Sequence, residues 1–330
     1  MDASVAVTEY VDRLCAVEMR SSRLPQGTIL KIYSEARRLQ GMPLTYLAAK
    51  RLVQTIREGD NVIITTGIGE PKLIPKGETD GPPGAAAIAR AISLFLQANP
   101  VVVAGEAYLE PALASCRALG LKTSERPQSN AVVGEAAPLN DDEARRNSAE
   151  LLDKYNPSAL LSVECLGPNA KGVLHTLGGI DLTSYNVPFH HIFETAMQRA
   201  ILTVGVGDGG NEIGCGLVYD AVRKIQKYGT ICQCPCKSGV ATVTPTDVLV
   251  VAGTSNWGAY GIETSLAVIL RNPSVIHTPQ DEAKSLQASI AAGARDGPTG
   301  SSDLYVDAIP LETHQALLVM LRTIVSKYLE

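Results

Sequence analysis

The stretch ILTVGVGDGGNEIGCG, residues 201–216, decides the fold. An apolar, partly β-branched run from Ile201 to Val206 gives way at once to Gly207, Asp208, Gly209, Gly210, Asn211, Glu212, Ile213 and Gly214, with Gly216 beyond. A strand that ends in glycines and is followed by a helix-length segment, here Asn211 to Tyr228, is the unit of an open α/β sheet. The same texture recurs on either side. Asn61 to Thr66, Val101 to Ala104, Ala159 to Val163 and Val248 to Ala252 are short, near-continuous apolar runs, as expected of strands covered on both faces. Amphipathic stretches separate them: Pro83 to Ala98, Leu109 to Leu119, Asp141 to Tyr155 and Ala259 to Leu270. The alternation predicts a doubly wound, mostly parallel α/β sheet with helices on both faces. Ahead of it, Val5 to Met19, Gly27 to Gln40 and Pro43 to Glu58 carry helical spacing. Residues 1–58 therefore read as a helical N-terminal segment and 59–330 as one compact α/β unit.

Composition narrows the function. Against 34 acidic residues stand 29 Lys and Arg, a formal charge of −5, so no nucleic-acid partner is expected. Glycine reaches 29 residues while aromatics are only 5%. The seven cysteines are odd in number and dispersed except for Cys232, Cys234 and Cys236, which fits reduced thiols inside a cell. The opening MDASVAVTEYVDRL has acids where a secretory signal needs bases. No run approaches a membrane span. A cytoplasmic protein is expected, with the mitochondrial matrix as the alternative in a eukaryote; association into a homo-oligomer is left open.

Ligands of such sheets bind where strands end and helices begin. After Asn61 to Thr66, the loop delivers Glu78, Thr79 and Asp80 and then Gly81-Pro-Pro-Gly84, a helix start in which proline needs no N–H partner. The glycine-rich segment after Val206 brings Asp208, Gly209, Gly210, Asn211 and Glu212. It lacks a dinucleotide register and a phosphate-loop lysine. Asp208 and Glu212 offer oxygen ligands for a divalent metal, Mg²⁺ or Ca²⁺. After Val248 to Ala252 come Thr254, Ser255, Asn256 and Trp257, caps beside the lone tryptophan, which is read as a pocket wall or a packing residue. RDGPTGSSD, residues 295–303, is a turn-rich loop able to cover a site. C-x-C-P-C at 232–236 lacks the two-residue gap of a zinc ligand pair and reads as ordinary thiols in a surface turn. His190 and His191 read as structural, and His175, after Glu164 and a Gly-Pro-Asn turn, is placed near the same strand end.

ETDGPPGA (78–85), GDGGNEIGCG (207–216) and AGTSNWGAYG (252–261), together with SVECLGPNAKGVLHTLGGID, resemble the D-glutamate cyclase family, specifically its C-terminal domain. The pattern departs from the family at Cys165 and Leu166, where a basic residue is usual, and at Leu174 and His175, where tyrosines are expected. The resemblance implies a hydro-lyase that closes D-glutamate to 5-oxo-D-proline with loss of water, acting on a small amino-acid or carboxylate substrate. On that basis Asp208 or Glu212 would move a proton or hold a metal, and Asp80 and Glu78 would bind the ammonium or act as base. Asn211 and Asn256 would donate to the oxyanion, and helix starts after Gly81 and Gly210 would hold carboxylates. Thr79, Glu164, Gly209, Ser255 and Trp257 complete the implied substrate contacts. Two other functions remain open on the residues alone: an Mg²⁺-dependent enzyme of nucleotides or phosphate esters, and a non-catalytic binder of small carboxylates.

Overall fold

The fold is described from a computed structural model over residues 3–19 and 26–330. Helices α1 (Ala3–Cys15), α2 (Thr28–Gln40) and α3 (Leu44–Thr55) precede the sheet. Then follow β1 (Asn61–Thr66), α4 (Pro82–Phe95), β2 (Asn99–Gly105), α5 (Glu106–Ala118), β3 (Lys122–Ser124), β4 (Ala131–Ala137), α6 (Asp141–Tyr155) and β5 (Ala159–Val163). The chain continues through α7 (His190–Gln198), β6 (Leu202–Gly207), α8 (Tyr219–Ile225), β7 (Val248–Val251), α9 (Ser255–Leu270) and α10 (Pro279–Ala291). A small antiparallel hairpin, β8 (Tyr305–Val306) and β9 (Ile309–Pro310), leads into α11 (Leu311–Leu329).

Among the described residues the main sheet has seven strands in the order β3-β4-β2-β1-β5-β6-β7, and every pairing is parallel. This is the doubly wound α/β fold expected from the alternation. Its central strands are wholly buried because helices cover both faces, the reason their sequences are apolar without alternating. The order reverses between β1 and β5, which opens a crevice beyond Thr66 and Val163.

The N-terminal helices are part of the same core. Val11, Ile32 and Leu52 pack in one cluster with Ile64, Val204, Val250 and Tyr260. Asp12, buried at the start of α3, accepts hydrogen bonds from the amides of Leu44 and Thr45 and from the Tyr33 hydroxyl. Gln40 donates to the Leu249 carbonyl at 2.8 Å and accepts from its amide at 3.0 Å. Its side chain thereby supplies the partner that the open edge of β7 lacks.

Two sequence expectations need correction. Asn211 to Cys215 is no helix: it is a looped segment pinned by bridges to Leu166 and Pro245, followed by a single 3-10 turn at Gly216–Val218, and α8 starts only at Tyr219. With Gly at 209, 210, 214 and 216, the loop trades helical bonds for close approach. A Cβ on Gly207 would lie 2.8 Å from a Glu212 carboxylate oxygen. The helix start expected after Gly210 therefore does not exist. Second, β3 and β4 fall outside the expected strands, because KTS and AVVGEAA are short or interrupted by Gly134 and Glu135.

Candidate active site

The loops beyond β1, β5 and β6 surround a cavity of about 810 Å³ at the reversal of strand order. Glu78, Glu164, Asp208, Asn211 and Glu212 line it, together with apolar Ile68, Leu166 and Leu177. Gly297 and Pro298 of the turn-rich loop close one side, and a Cβ on Gly297 would strike Glu78.

Two helix starts meet behind the cavity and cap each other. Asp80, just before α4, accepts from the α9 amides of Ser255 at 2.9 Å and Asn256 at 2.8 Å. Asn256 answers: its Oδ1 accepts from the amides of Gly81 at 2.9 Å and Gly84 at 2.8 Å, and its Nδ2 donates to the Thr79 carbonyl. Orphan N–H groups of both helices are thus satisfied without a ligand. Gly81 is required at the joint. Its φ is +106°, and a Cβ there would come within 2.7 Å of Thr66 Oγ1 and 3.1 Å of Glu164 Cβ. Exchanging Asp80 for Asn puts an NH₂ where an amide now donates. We expect Asp80→Asn to lower the urea midpoint by an amount equivalent to about 1–3 kcal/mol; an unchanged midpoint would remove the clasp from the account. Loss of activity in that variant is consequently no proof of a chemical role.

Glu164 is the residue the fold singles out. It follows β5 with φ +54°, a left-handed conformation rare for a residue with a side chain, and is 7% exposed. The Ser255 hydroxyl donates to its carboxylate. One oxygen from each of Asp80, Glu164 and Asp208 lies within 4.8 Å of the others. Burial, then the carboxylates of Glu212, Asp80 and Glu78, push the Glu164 carboxyl well above the usual range, only partly offset by Ser255. Like charges this close cannot all ionise in a dry site. The arrangement favours the protonated form of the Glu164 carboxyl among its acidic neighbours.

The remaining expected residues are distributed as follows. Glu212 turns back on its own loop, accepting from the amides of Gly209 at 3.0 Å and Gly210 at 2.8 Å. Asn211 donates to the His175 carbonyl at 2.8 Å, and its buried Oδ1 has no hydrogen-bond partner among the described residues. Thr79 donates from Oγ1 to the Tyr305 carbonyl. Trp257 is 1% exposed and packs in the core, its indole N–H donating to His314 Nδ1 at 2.7 Å, so it is not a wall of the cavity. Asn256 is likewise fully buried behind the cavity and does not line it: its Oδ1 accepts two amides and its Nδ2 donates to Thr79. His191 is satisfied by Asp141 at 2.8 Å.

Sequence reasoning misses Asp307 and Tyr228, which also line the cavity. Asp307 has a local signal in retrospect. Asp307 and Ala308, at φ 55° and 61°, form the two-residue turn of the β8–β9 hairpin, where Asp is favoured. Tyr228 has none.

A doubly wound α/β protein with a carboxylate-lined cavity at its topological switch point is the class that fold and site define. Comparison with known proteins gives the family: the profile of the D-glutamate cyclase-like C-terminal family matches residues 34–322, and the chain belongs to it. The chain is also 28% identical over 297 residues to "D-glutamate cyclase, mitochondrial" of Homo sapiens, covering 78% of this chain and 44% of that one. It thus spans under half the length of that relative. Among solved structures, a putative short-chain dehydrogenase/reductase from Burkholderia xenovorans aligns with 46% of this chain and 55% of its own, at 15% identity and a TM-score of 0.28. Among the described residues no helix is long and apolar enough to cross a membrane.

Proposed function

We propose that the protein is a hydro-lyase that closes D-glutamate to 5-oxo-D-proline and water. The observation that carries this reading is the buried Asp80–Glu164–Asp208 cluster, where burial and neighbouring carboxylates push the Glu164 carboxyl upward, in a chain of the D-glutamate cyclase-like family. The amine nitrogen attacks the γ-carboxyl carbon, an amine proton passes to an ionised carboxylate, and a γ-oxygen departs as water. The ammonium gives up two protons and the departing γ-oxygen takes up two: Glu164 supplies the first, Asp208 passes on to the oxygen the proton it takes from the nitrogen, and the other nitrogen proton restores Glu164. Asn211 Oδ1, buried and lacking an intramolecular acceptor role, receives a hydrogen bond from the substrate ammonium before it is deprotonated. Lys72 and Lys227 at the cavity edge offset the charge of the entering carboxylates.

Incubation with D-glutamate, with L-glutamate as control, and chiral detection of 5-oxoproline tests the reading directly. Product from the D-isomer above the uncatalysed rate is expected. Absence of product across pH 5–9, with the protein folded, would sink it.

A second reading has its own observation. Three hard oxygen ligands from Asp80, Glu164 and Asp208 suit Mg²⁺ or Ca²⁺, although Asp80 already accepts three backbone amides and has few lone pairs left. On this reading turnover requires the cation and EDTA abolishes it. Thermal stabilisation by D-glutamate without added metal favours the first reading, whereas stabilisation by Mg²⁺ with a nucleotide favours an Mg²⁺-dependent enzyme of another class.

A further inference from the structure

The C-x-C-P-C segment is a surface turn, as expected, but its cysteine side chains face inward. Cys232 and Cys234 are 2% and 9% exposed, and the loop after α8 folds them with Cys236 onto His175 of the hairpin that follows β5. His175 itself is 1% exposed. One donor atom from each of the four lies within 4.8 Å of the rest. Cys232 Sγ is 3.5 Å from Cys234 Sγ and 3.3 Å from Cys236 Sγ, and His175 Nε2 is 3.2 Å from Cys234 Sγ and 3.7 Å from Cys236 Sγ. Zn–S bonds of about 2.3 Å at tetrahedral angles place sulfurs about 3.8 Å apart, so these separations need only a few tenths of an ångström of adjustment. They are far beyond a disulfide bond of about 2.05 Å.

The surroundings match as well. His175 Nδ1 lies 3.0 Å from the Val173 carbonyl, a contact only a protonated Nδ1 can make. Nε2 is then the ring atom that faces the sulfurs and would carry the ligating lone pair, with the Nδ1 contact the usual outer contact of a metal-bound histidine. Asn169 Nδ2 donates to Cys236 Sγ at 3.4 Å and to the Gly239 carbonyl at 2.7 Å. An apolar cluster has no reason to gather three thiols round one imidazole nitrogen.

We propose that His175, Cys232, Cys234 and Cys236 bind one structural Zn²⁺ ion. Four protein ligands close the tetrahedron and leave no position for substrate. The spacing rule that argues against zinc in the sequence assumes two Cys-x-x-Cys pairs, whereas here three ligands come from one loop and the fourth from a hairpin about sixty residues earlier in the chain. The ion joins two loops that both reach the cavity. The His175 carbonyl holds Asn211, Leu177 packs over Gly209, and Tyr228 lines the same cavity. This inference rests on ligand geometry and not on the proposed reaction.

The test is metal analysis of the full chain purified without chelator, followed by exchange into Co²⁺. About one zinc per chain is expected, with Co²⁺ giving thiolate charge-transfer absorption and the intense visible bands of a tetrahedral site. Cys232→Ser with Cys236→Ser should lose both metal and spectrum, while Cys116→Ala, in the core elsewhere, keeps them. A wild-type chain that takes up neither Zn²⁺ nor Co²⁺ would overturn the proposal, as would a disulfide among the three cysteines in a non-reducing peptide map. The wild-type spectrum decides the matter even where a variant fails to fold.

Discussion

Replacing Glu164 by Gln is expected to slow cyclisation by about 10²–10⁴-fold, the span of a lost general acid, while leaving the melting temperature unchanged or higher. The two halves of this result have one cause. Glu164 sits beside Asp80 and Asp208, and burial, then the charges of Glu212, Asp80 and Glu78, disfavour its ionised form. Gln keeps the volume and can still accept the Ser255 hydroxyl bond. It lacks the transferable proton and also the repulsion. A residue that only supported the fold would show the opposite: activity retained and stability lost. Steady-state kinetics and thermal unfolding on the same preparation distinguish the two. The pH profile adds a sign. Activity that needs protonated Glu164 falls as pH rises through its raised pKa, and Glu164→Gln should lack that limb.

His277→Ala is expected to destabilise the fold by about 3–5 kcal/mol, the cost of leaving a buried ionic partner uncompensated. His277 stands between two carboxylates, with Nδ1 2.6 Å from Glu263 and Nε2 3.3 Å from Glu282, and all three side chains are no more than 1% exposed. Tyr260 donates to Glu282 at 2.7 Å and Arg90 reaches Glu263 at 3.3 Å, so the network ties α9 to α10 and α4. Burial alone would depress the imidazole, but Glu263 and Glu282 override it and lift its pKa to about 9. Because the folded value lies above the unfolded one, this stability is full below the unfolded histidine pKa of about 6.5 and is lost as pH rises through about 9. Glu282, held below its ordinary range against the pull of burial by His277, contributes in the opposite window: its share is lost as pH falls. Urea titrations at pH 7 and pH 9.5 check both points. A variant within 1 kcal/mol of wild type at pH 7, or one that keeps the alkaline loss, would refute the network's role. Since α9 also presents Ser255, which donates to Glu164, the same variant should lower activity.

The sequence showed the sheet because its central strands are buried on both faces and can be nothing but apolar. It showed Asp80 and Asp208 because glycine-rich strand ends mark ligand crevices. It hid β3 at the edge, where three polar residues, none of them buried, carry no hydrophobic signal. Asp80 and Asn256 were visible as polar residues at helix starts, but whether such residues face a ligand or another helix is not a local property. Here each caps the other's helix across 176 positions in sequence.

By itself, then, the sequence determined the parallel α/β architecture, the family and the loops that hold the acids, since all follow from local periodicity and short contiguous motifs. Only the tertiary structure decided which acid is buried among other carboxylates, that Trp257 belongs to the core, and that His175 lies against three distant cysteines. Burial, charge proximity and metal geometry depend on residues far apart in the chain, and spacing along one strand end cannot encode them.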